Sequence, residues 1–455
     1  MPSKAAIRFG LIVVCIGSLI GPLDSSVNVA FPAITGAFAI AITDIQWIVI
    51  SYIIAQSSLT IAFGKIGDLF GHRRVFRWGM LACAAAHLAC GFAPTYEALV
   101  GWRAVQGVAV GLAMACGPAL ATLLFPPEQK RRMLSVYLVC TGVGGALGPI
   151  AGGWMVELIG WPGVFWMRVP IAVIALVLSI GLPEPEVARA TRPRFDIVGA
   201  ALLTISLTCL ILFMGMARRP DVSLWLSFAL LAGAIATGIA LIRHERRVDQ
   251  PILDMRYFND RFFSAMQLAS ITIYLCCFSI LLLLPYLLAA QPGYTALSTG
   301  LTLAVFPLGS ILASLASGSI LQRIASPKLM RYGLVLAAIG LLLLAYACYA
   351  PTLTAIGFTM FVSGGGLGIF QIGYADATTS ALPVADRGVA GSLVSVTRLI
   401  GFVVGAAGIT WIFEVLRGTD ASTVGIQRTF AALGALLILF SALFWRLRVG
   451  RTPSR

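Results

Sequence analysis

Fourteen apolar runs of roughly twenty residues follow one another through the chain, and about that length is what an α-helix needs to cross a bilayer. Runs at 9–34, 45–66, 76–93, 98–124, 133–156 and 164–182 form a first group of six. A polar linker at 183–196 is followed by a hairpin of runs at 197–216 and 222–242. Runs at 262–288, 298–321, 329–350, 354–381, 389–413 and 429–445 form a second six. Inside hydrocarbon a backbone polar group finds no water, so only structures that satisfy it internally can span, and runs of this length do so as helices. The expectation is an all-α integral membrane protein: an N-terminal six-helix bundle over 9–182, linkers and an inserted hairpin over 183–261, and a C-terminal six-helix bundle over 262–447. Charged residues are 11% of the 455, against roughly 25% in a soluble protein, which leaves no stretch able to hold a separate soluble core. The first run is longer than a signal-peptide core and ends without a small-residue cleavage site, so it is expected to remain as the first span.

The net charge of +14 could suggest a nucleic-acid surface, but the positions of the bases exclude one. With the N-terminus cytoplasmic, fourteen spans put 25 of the 32 Lys and Arg on the inner side and four (Arg218, Arg219, Arg417, Arg428) on the outer side. Three more, Arg103, Arg168 and Arg398, fall inside runs. That bias is the positive-inside rule, and it predicts that both termini are cytoplasmic. All nine cysteines lie within apolar runs, none spaced as a metal or redox pair, so they read as small buried apolar residues. No nucleotide-binding P-loop is present, and the three histidines have no metal-ligand spacing. ATP therefore does not act directly, no cofactor or metal is expected, and an ion gradient has to supply the energy.

An internal repeat runs at one offset of 257 residues. It pairs Gly107 with Gly364, Gly111 with Gly368, Pro126 with Pro383 and Lys130 with Arg387, then Ser135 with Ser392, Gly144 with Gly401 and Gly148 with Gly405. Two parallel six-helix halves point to a transporter whose site lies near the midplane.

Four motifs carry chemistry. The connection after the second run reads Gly64-Lys65-Ile66-Gly67-Asp68-Leu69-Phe70-Gly71-His72-Arg73-Arg74. Its glycines permit close helix approach, Asp68 can cap a neighbouring helix, and Arg73 or Arg74 can pair with acids. The first run holds Asp24, with Asn28 one turn on along the same face. An acid at that depth is either an ion path or a structural acid bonded between helices. The fourth run contains Arg103-Ala104-Val105-Gln106-Gly107, and Arg103 can tune a nearby acid or bind backbone carbonyls. In the fifth run Gly144, Gly148 and Gly152 make one smooth face, Gly153 adjoins it, and Pro149 bends the helix.

These motifs resemble the signature loop, first-helix acid, embedded arginine and Gly-Pro-x-x-Gly-Gly antiporter motif of the major facilitator superfamily. The inserted hairpin, the Trp161–Ile171 stretch and Gln291-Pro292-Gly293-Tyr294 resemble its fourteen-span drug:proton antiporter (EmrB/QacA-type) branch. There are departures. Arg168 stands where that branch usually has Asn, and Gly318–Arg323, the second-half counterpart of the loop, lacks its Asp. The resemblance implies proton-coupled export of amphiphilic drugs by alternating access. Asp24, Arg103 and Asp376 would serve proton coupling, and Asn28, Arg168, Gln371, Tyr374 and Arg398 would line the substrate cavity. Gly64, Gly67, Asp68, Gly71, Arg73 and Arg74, with the fifth-run glycines and Pro149, would serve gating. Asp376 lies outside the motifs and is either such a site or a structural partner of Arg398; His87 and Glu414 read as interfacial. The implied partners are a small-molecule substrate, protons and the bilayer of a bacterial cytoplasmic membrane, with a periplasmic adaptor in a host that has an outer membrane. Two alternatives stay open: a transporter of a specific anionic metabolite, motivated by three embedded arginines against two acids, and a membrane receptor or scaffold that does not transport.

Overall fold

The structure, a computed structural model, describes residues 4–123, 125, 127–182, 196–216, 222–248, 257–321, 323–382 and 387–446. Most of the 183–196 linker lies outside them, and so do the side chains of Gly64 and Asp68. The described residues are helical, joined by turns, with no strand among them.

Each of the fourteen apolar runs falls on helix. The first run is α1 (Lys4–Leu19), a 3-10 turn (Pro22–Ser25) and α2 (Ser26–Phe38). The second to fifth are α3 (Gln46–Phe70), α4 (His72–Gly91), α5 (Tyr96–Leu123) and α6 (Pro127–Ile159). The sixth is split into α7 (Gly163–Trp166) and α8 (Arg168–Ser179), and the hairpin is α9 (Ile197–Met216) and α10 (Leu224–Glu245). The last six are α11 (Arg261–Ala289), α12 (Ala296–Ile320), α13 (Ser326–Ala347), α14 (Leu353–Ala381), α15 (Arg387–Arg417) and α16 (Ser422–Arg446). Among the described residues ten helices are long and apolar enough to cross a membrane, with shorter apolar helices at Ile42–Gln56, Gly163–Ser179 and Ala201–Leu210. Large apolar side chains such as Leu81, Leu138, Phe228, Leu315 and Leu439 stand exposed on these helices. A soluble protein would bury most such residues, and a membrane protein turns them to lipid.

The chain forms two compact units: Met1–Ala200 with Pro292–Ala304, and Ala201–Gln291 with Val305–Arg455. Within each, glycine sets how near the helices come. In the first unit a Cβ on Gly107 would press on the Tyr52 carbonyl and lie 2.9 Å from the Ala55 Cβ, so α5 lies directly on α3. Gly364, its repeat partner, meets the Phe306 backbone in the same way, laying α14 on α12 in the second unit.

The first apolar run departs from the continuous helix its sequence suggested. Pro22 has no N–H to give the preceding turn, so α1 stops and a 3-10 turn intervenes. The glycine face of α6 receives this break. A Cβ on Gly144 would lie 3.3 Å from Pro22, one on Gly148 would collide with Ser25 Oγ, and one on Gly152 would lie 2.7 Å from the Ser26 carbonyl. Ser25 Oγ hydrogen-bonds the Pro22 carbonyl at 2.9 Å and the Gly145 carbonyl at 3.1 Å, fastening the turn to α6. In the second unit Gly401 and Gly405 of α15 lie against Ile271, Tyr274 and Leu275, where α11 runs on without a break.

Gly148→Leu and Gly152→Leu are therefore expected to lower the thermal unfolding midpoint in detergent, by the roughly 1–3 kcal/mol typical of overpacking or more. Gly145→Leu, where a Cβ meets nothing within 4 Å, is expected to stay near wild type. Equal effects at all three positions would show that this face carries no close packing.

Candidate functional site: a carboxylate shared by two buried arginines

The break in the first span puts Asp24 in a short turn, off the regular helix and facing α5 and α8. Arg103 of α5 holds it with two hydrogen bonds, Nη1 to Oδ1 at 2.6 Å and Nη2 to Oδ2 at 2.8 Å. This paired geometry is the one the planar guanidinium fork gives best. Arg168, the first residue of α8, places its Nη1 on the same Oδ1 at 2.6 Å. Gln106, one turn after Arg103, adds an amide N–H to Oδ1 at 3.1 Å. Asp24 thus accepts four hydrogen bonds, three on Oδ1 and one on Oδ2, and Oδ2 keeps the open acceptor position.

Both arginines are sealed in, with side-chain exposure of 1% for Arg103 and 0% for Arg168, while Asp24 keeps 14%. Each has backbone support: Arg103 Nε donates to the Ile48 carbonyl at 3.0 Å and Arg168 Nε to the Val164 carbonyl at 3.0 Å. Tyr52 lies 4.3 Å from the Arg103 guanidinium and Phe165 lies 5.5 Å from that of Arg168, so aromatic faces replace part of the lost hydration. The Nη2 of Arg168 is buried and has no hydrogen-bond partner.

His87, expected near an interface, is instead fully buried beside this cluster. Its Nδ1 faces the Cys83 carbonyl and its Nε2 faces the Gln106 amide nitrogen at 3.3 Å. Those partners put the proton on Nδ1 and make Nε2 an acceptor. The Gln106 oxygen accepts from Arg103 Nη1 at 2.9 Å and from the Cys90 thiol at 3.4 Å, so every polar atom of this amide is used. Position near a helix end misled the sequence reading of His87. Gln106 was legible, since it lies three residues after Arg103 and so on the same helix face.

The other predicted residues are spread over both units. Asn28 is buried on α2. Tyr374 of α14 is buried, its hydroxyl donating to Gln267 Oε1 and lying 2.9 Å from Thr397 Oγ1, which in turn lies 3.1 Å from Ser270 Oγ. The Nε2 of Gln267 has no partner. Gln371 and Arg398 sit beside Tyr274, and Arg398 is exposed. Of the two readings of Asp376, the pairing with Arg398 is not formed. Asp376 accepts a hydrogen bond from Ser326 Oγ at the start of α13, because Gly373 brings α14 close to the first turn of that helix. A carboxylate there is favoured by the free N–H groups of the helix start. In the loop motif, a Cβ on Gly67 would meet the His72 ring, and Gly71 has φ 90°, a left-handed conformation that suits glycine. Arg74 is exposed. Arg73 donates to the Leu182 carbonyl, and Arg77 to the Ser179 and Ile180 carbonyls at 2.9 and 3.0 Å. The bases expected to pair with acids thus also cap the last carbonyls of the sixth span.

The family model for the Major Facilitator Superfamily matches residues 13–243 and 266–455. The chain belongs to the major facilitator superfamily. As a superfamily member it is a multi-pass membrane transporter, not an enzyme. It is similar to the riboflavin transporter RibZ of Clostridioides difficile, 27% identical over 87% of this chain and 86% of that protein. It is also similar to the methylenomycin A resistance protein of Streptomyces coelicolor, 28% identical over 95% and 90%. The multidrug export protein EmrB of Escherichia coli is 27% identical over 85% and 76%. Among solved structures, a bacterial homolog of the human lysosomal transporter Spinster in an inward-facing, occupied conformation aligns over 100% of both chains with a TM-score of 0.74 at 14% identity, which supports the superfamily fold.

Gln106→Leu is expected to destabilise the protein by roughly 1–3 kcal/mol, because it strips partners from His87 and Asp24 at once and leaves them buried. His87→Asn, which removes one ring but leaves Gln106 on Asp24 and Arg103, is expected to cost less. Thermal unfolding of the two variants in detergent checks the order, and the reverse order would mean that Gln106 is not the hub of the network.

Proposed function

We propose that the chain exports amphiphilic compounds in exchange for protons by alternating access, and that Asp24 is the acid that exchanges the proton. The observation that carries the reading is the Asp24–Arg103 pair: a buried carboxylate held in two-point geometry by an arginine, with one oxygen left open. A proton arriving on Oδ2 weakens the hydrogen bond from Arg103 Nη2, so loading and unloading the acid changes how the first span is tied to α5. Both groups sit beside the break in that span, which α6 meets with Gly144, Gly148 and Gly152. A smooth, close-packed face of this kind lets a helix move without unlocking side chains.

Export is supported by the relatives, among them multidrug and antibiotic resistance proteins and a probable actinorhodin transporter. One proton moving through 100 mV supplies roughly 2.3 kcal/mol, which sustains about a fifty-fold substrate gradient. The distribution of bases supports a bacterial cytoplasmic membrane with both termini inside. On this reading the cytoplasmic connection 64–74 and its Arg73 and Arg77 contacts favour one of the two access states. The receptor or scaffold alternative has no observation in its favour.

In proteoliposomes, a pH gradient is expected to accelerate movement of a fluorescent amphiphile by the wild type, and Asp24→Asn is expected to abolish that acceleration. Flux through Asp24→Asn that still follows the gradient would remove Asp24 from the coupling step.

A further inference from the structure

The exchange described above uses Asp24 and Arg103 and leaves Arg168 without a task. Two guanidinium groups share one carboxylate, and among the described residues no second acid lies within ion-pair distance of either. His87, whose Nε2 accepts from Gln106, is neutral and leaves that balance unchanged. The cluster therefore carries one uncompensated positive charge in a sealed part of the membrane domain. Its Arg168 Nη2 is a buried donor with nothing to donate to. Leaving such a group unmet is costly, and a second acceptor with negative charge would meet it. Asp24 is the most exposed member of the cluster, so its carboxylate edge is the side from which a ligand would approach Arg168.

The second unit independently shows the same sign. Arg398 of α15 stands exposed near Tyr274 and Gln371, and Asp376, one acid that could neutralise it, is held by Ser326 instead. Among the described residues, each unit by itself thus presents one arginine within a membrane helix beyond what its paired acids balance.

We propose that the compound this transporter carries is an organic anion, whose acidic group is received by the free Nη2 of Arg168 beside Asp24, and that lipophilic cations are excluded. This rests on the transport reading and names the substrate class for the same site. A guanidinium with one occupied and one free edge suits a carboxylate or another planar oxyanion, which can take Nη2 while Asp24 keeps Nη1. A cation would meet a net positive cluster with its single carboxylate already engaged. A cation is therefore repelled by the charge that attracts an anion, and only the single open position on Asp24 Oδ2 opposes that repulsion.

The test is equilibrium binding by the detergent-solubilised full chain, using naphthoate, its neutral counterpart naphthamide, and tetraphenylphosphonium. Wild type is expected to bind naphthoate roughly tenfold or more tighter than naphthamide, the difference that one charge-assisted hydrogen bond makes. Tetraphenylphosphonium is expected to bind more weakly than naphthoate. Arg168→Gln is expected to erase the preference for naphthoate, and Arg168→Lys to retain part of it. Wild type that does not prefer naphthoate over naphthamide, or that binds tetraphenylphosphonium more tightly than naphthoate, would overturn the proposal. So would a preference that persists undiminished in folded Arg168→Gln protein. The wild-type comparison decides the substrate class even if the glutamine variant does not fold.

Repeating the titration at lower pH examines the exchange reading separately. Charge alone makes a proton on Asp24 and an anion on Arg168 reinforce one another, whereas exchange requires that they compete for the open side of Asp24. Naphthoate binding that weakens on acidification agrees with exchange. Binding that tightens would overturn exchange and leave the anion assignment in place.

Discussion

Everything distinctive in the first unit depends on how one carboxylate is kept in a place where charge is expensive. Asp24 survives there because two guanidinium groups and an amide surround it, and those groups survive because Asp24 is there. An isolated ion moved from water into such a site faces a penalty of several kcal/mol, and removing one partner of a buried pair exposes that penalty in full. The ring of secondary contacts follows from the same need. The carbonyls of Ile48 and Val164 take the two arginine Nε groups, Tyr52 and Phe165 cover the guanidinium faces, and Gln106 ties the whole to His87 and Cys90. Five helices, α3, α4, α5, α7 and α8, are thereby referenced to one oxygen pair.

Backbone packing puts the acid within reach of that ring. A straight first helix would carry Asp24 on a regular surface. Pro22 ends the helix, the 3-10 turn follows, and the glycines of α6 let the turn sit against a neighbouring backbone. The second unit keeps the glycine contact through Gly401 and Gly405 but has no breaker at the matching place in α11 and no acid there. Its polar centre is a neutral net of Gln267, Ser270, Tyr374 and Thr397. The two halves are thus repeats in packing and unlike in chemistry, with fixed charge concentrated in the first.

Much of the fold was legible because hydrophobic run length and the placement of bases are whole-chain signals. Fourteen runs separated by short loops leave little freedom, and the 257-residue repeat pairs Gly107 with Gly364, each of which meets a neighbouring backbone. Asp24 and Arg103 were legible as embedded charges, and an embedded acid and base in one bundle are expected to meet. What sequence could not supply was the third dimension of the cluster. Arg168 was visible as a departure, but its convergence on the same oxygen as Arg103 depends on how α8 and α5 face the turn that carries Asp24. His87 looked interfacial because sequence position along a helix says nothing about what faces it from the next one. For Asp376 the sequence left a site and a pairing with Arg398 both open, and its Ser326 partner was not visible because it lies 50 residues away on another helix.

The claim on which the rest stands is that Arg168 is an excess charge held by Asp24, and a double-mutant cycle between them tests it most directly. Thermal unfolding in detergent would be measured for Asp24→Asn, Arg168→Gln and the double variant. Asp24→Asn leaves two arginines buried without an acid and should be destabilised by roughly 3–5 kcal/mol. Removing Arg168 as well takes away one of those charges, so the double variant should be more stable than Asp24→Asn alone. A double variant whose loss equals the sum of the two single losses would show that the two residues do not interact, and the shared-carboxylate account would be wrong.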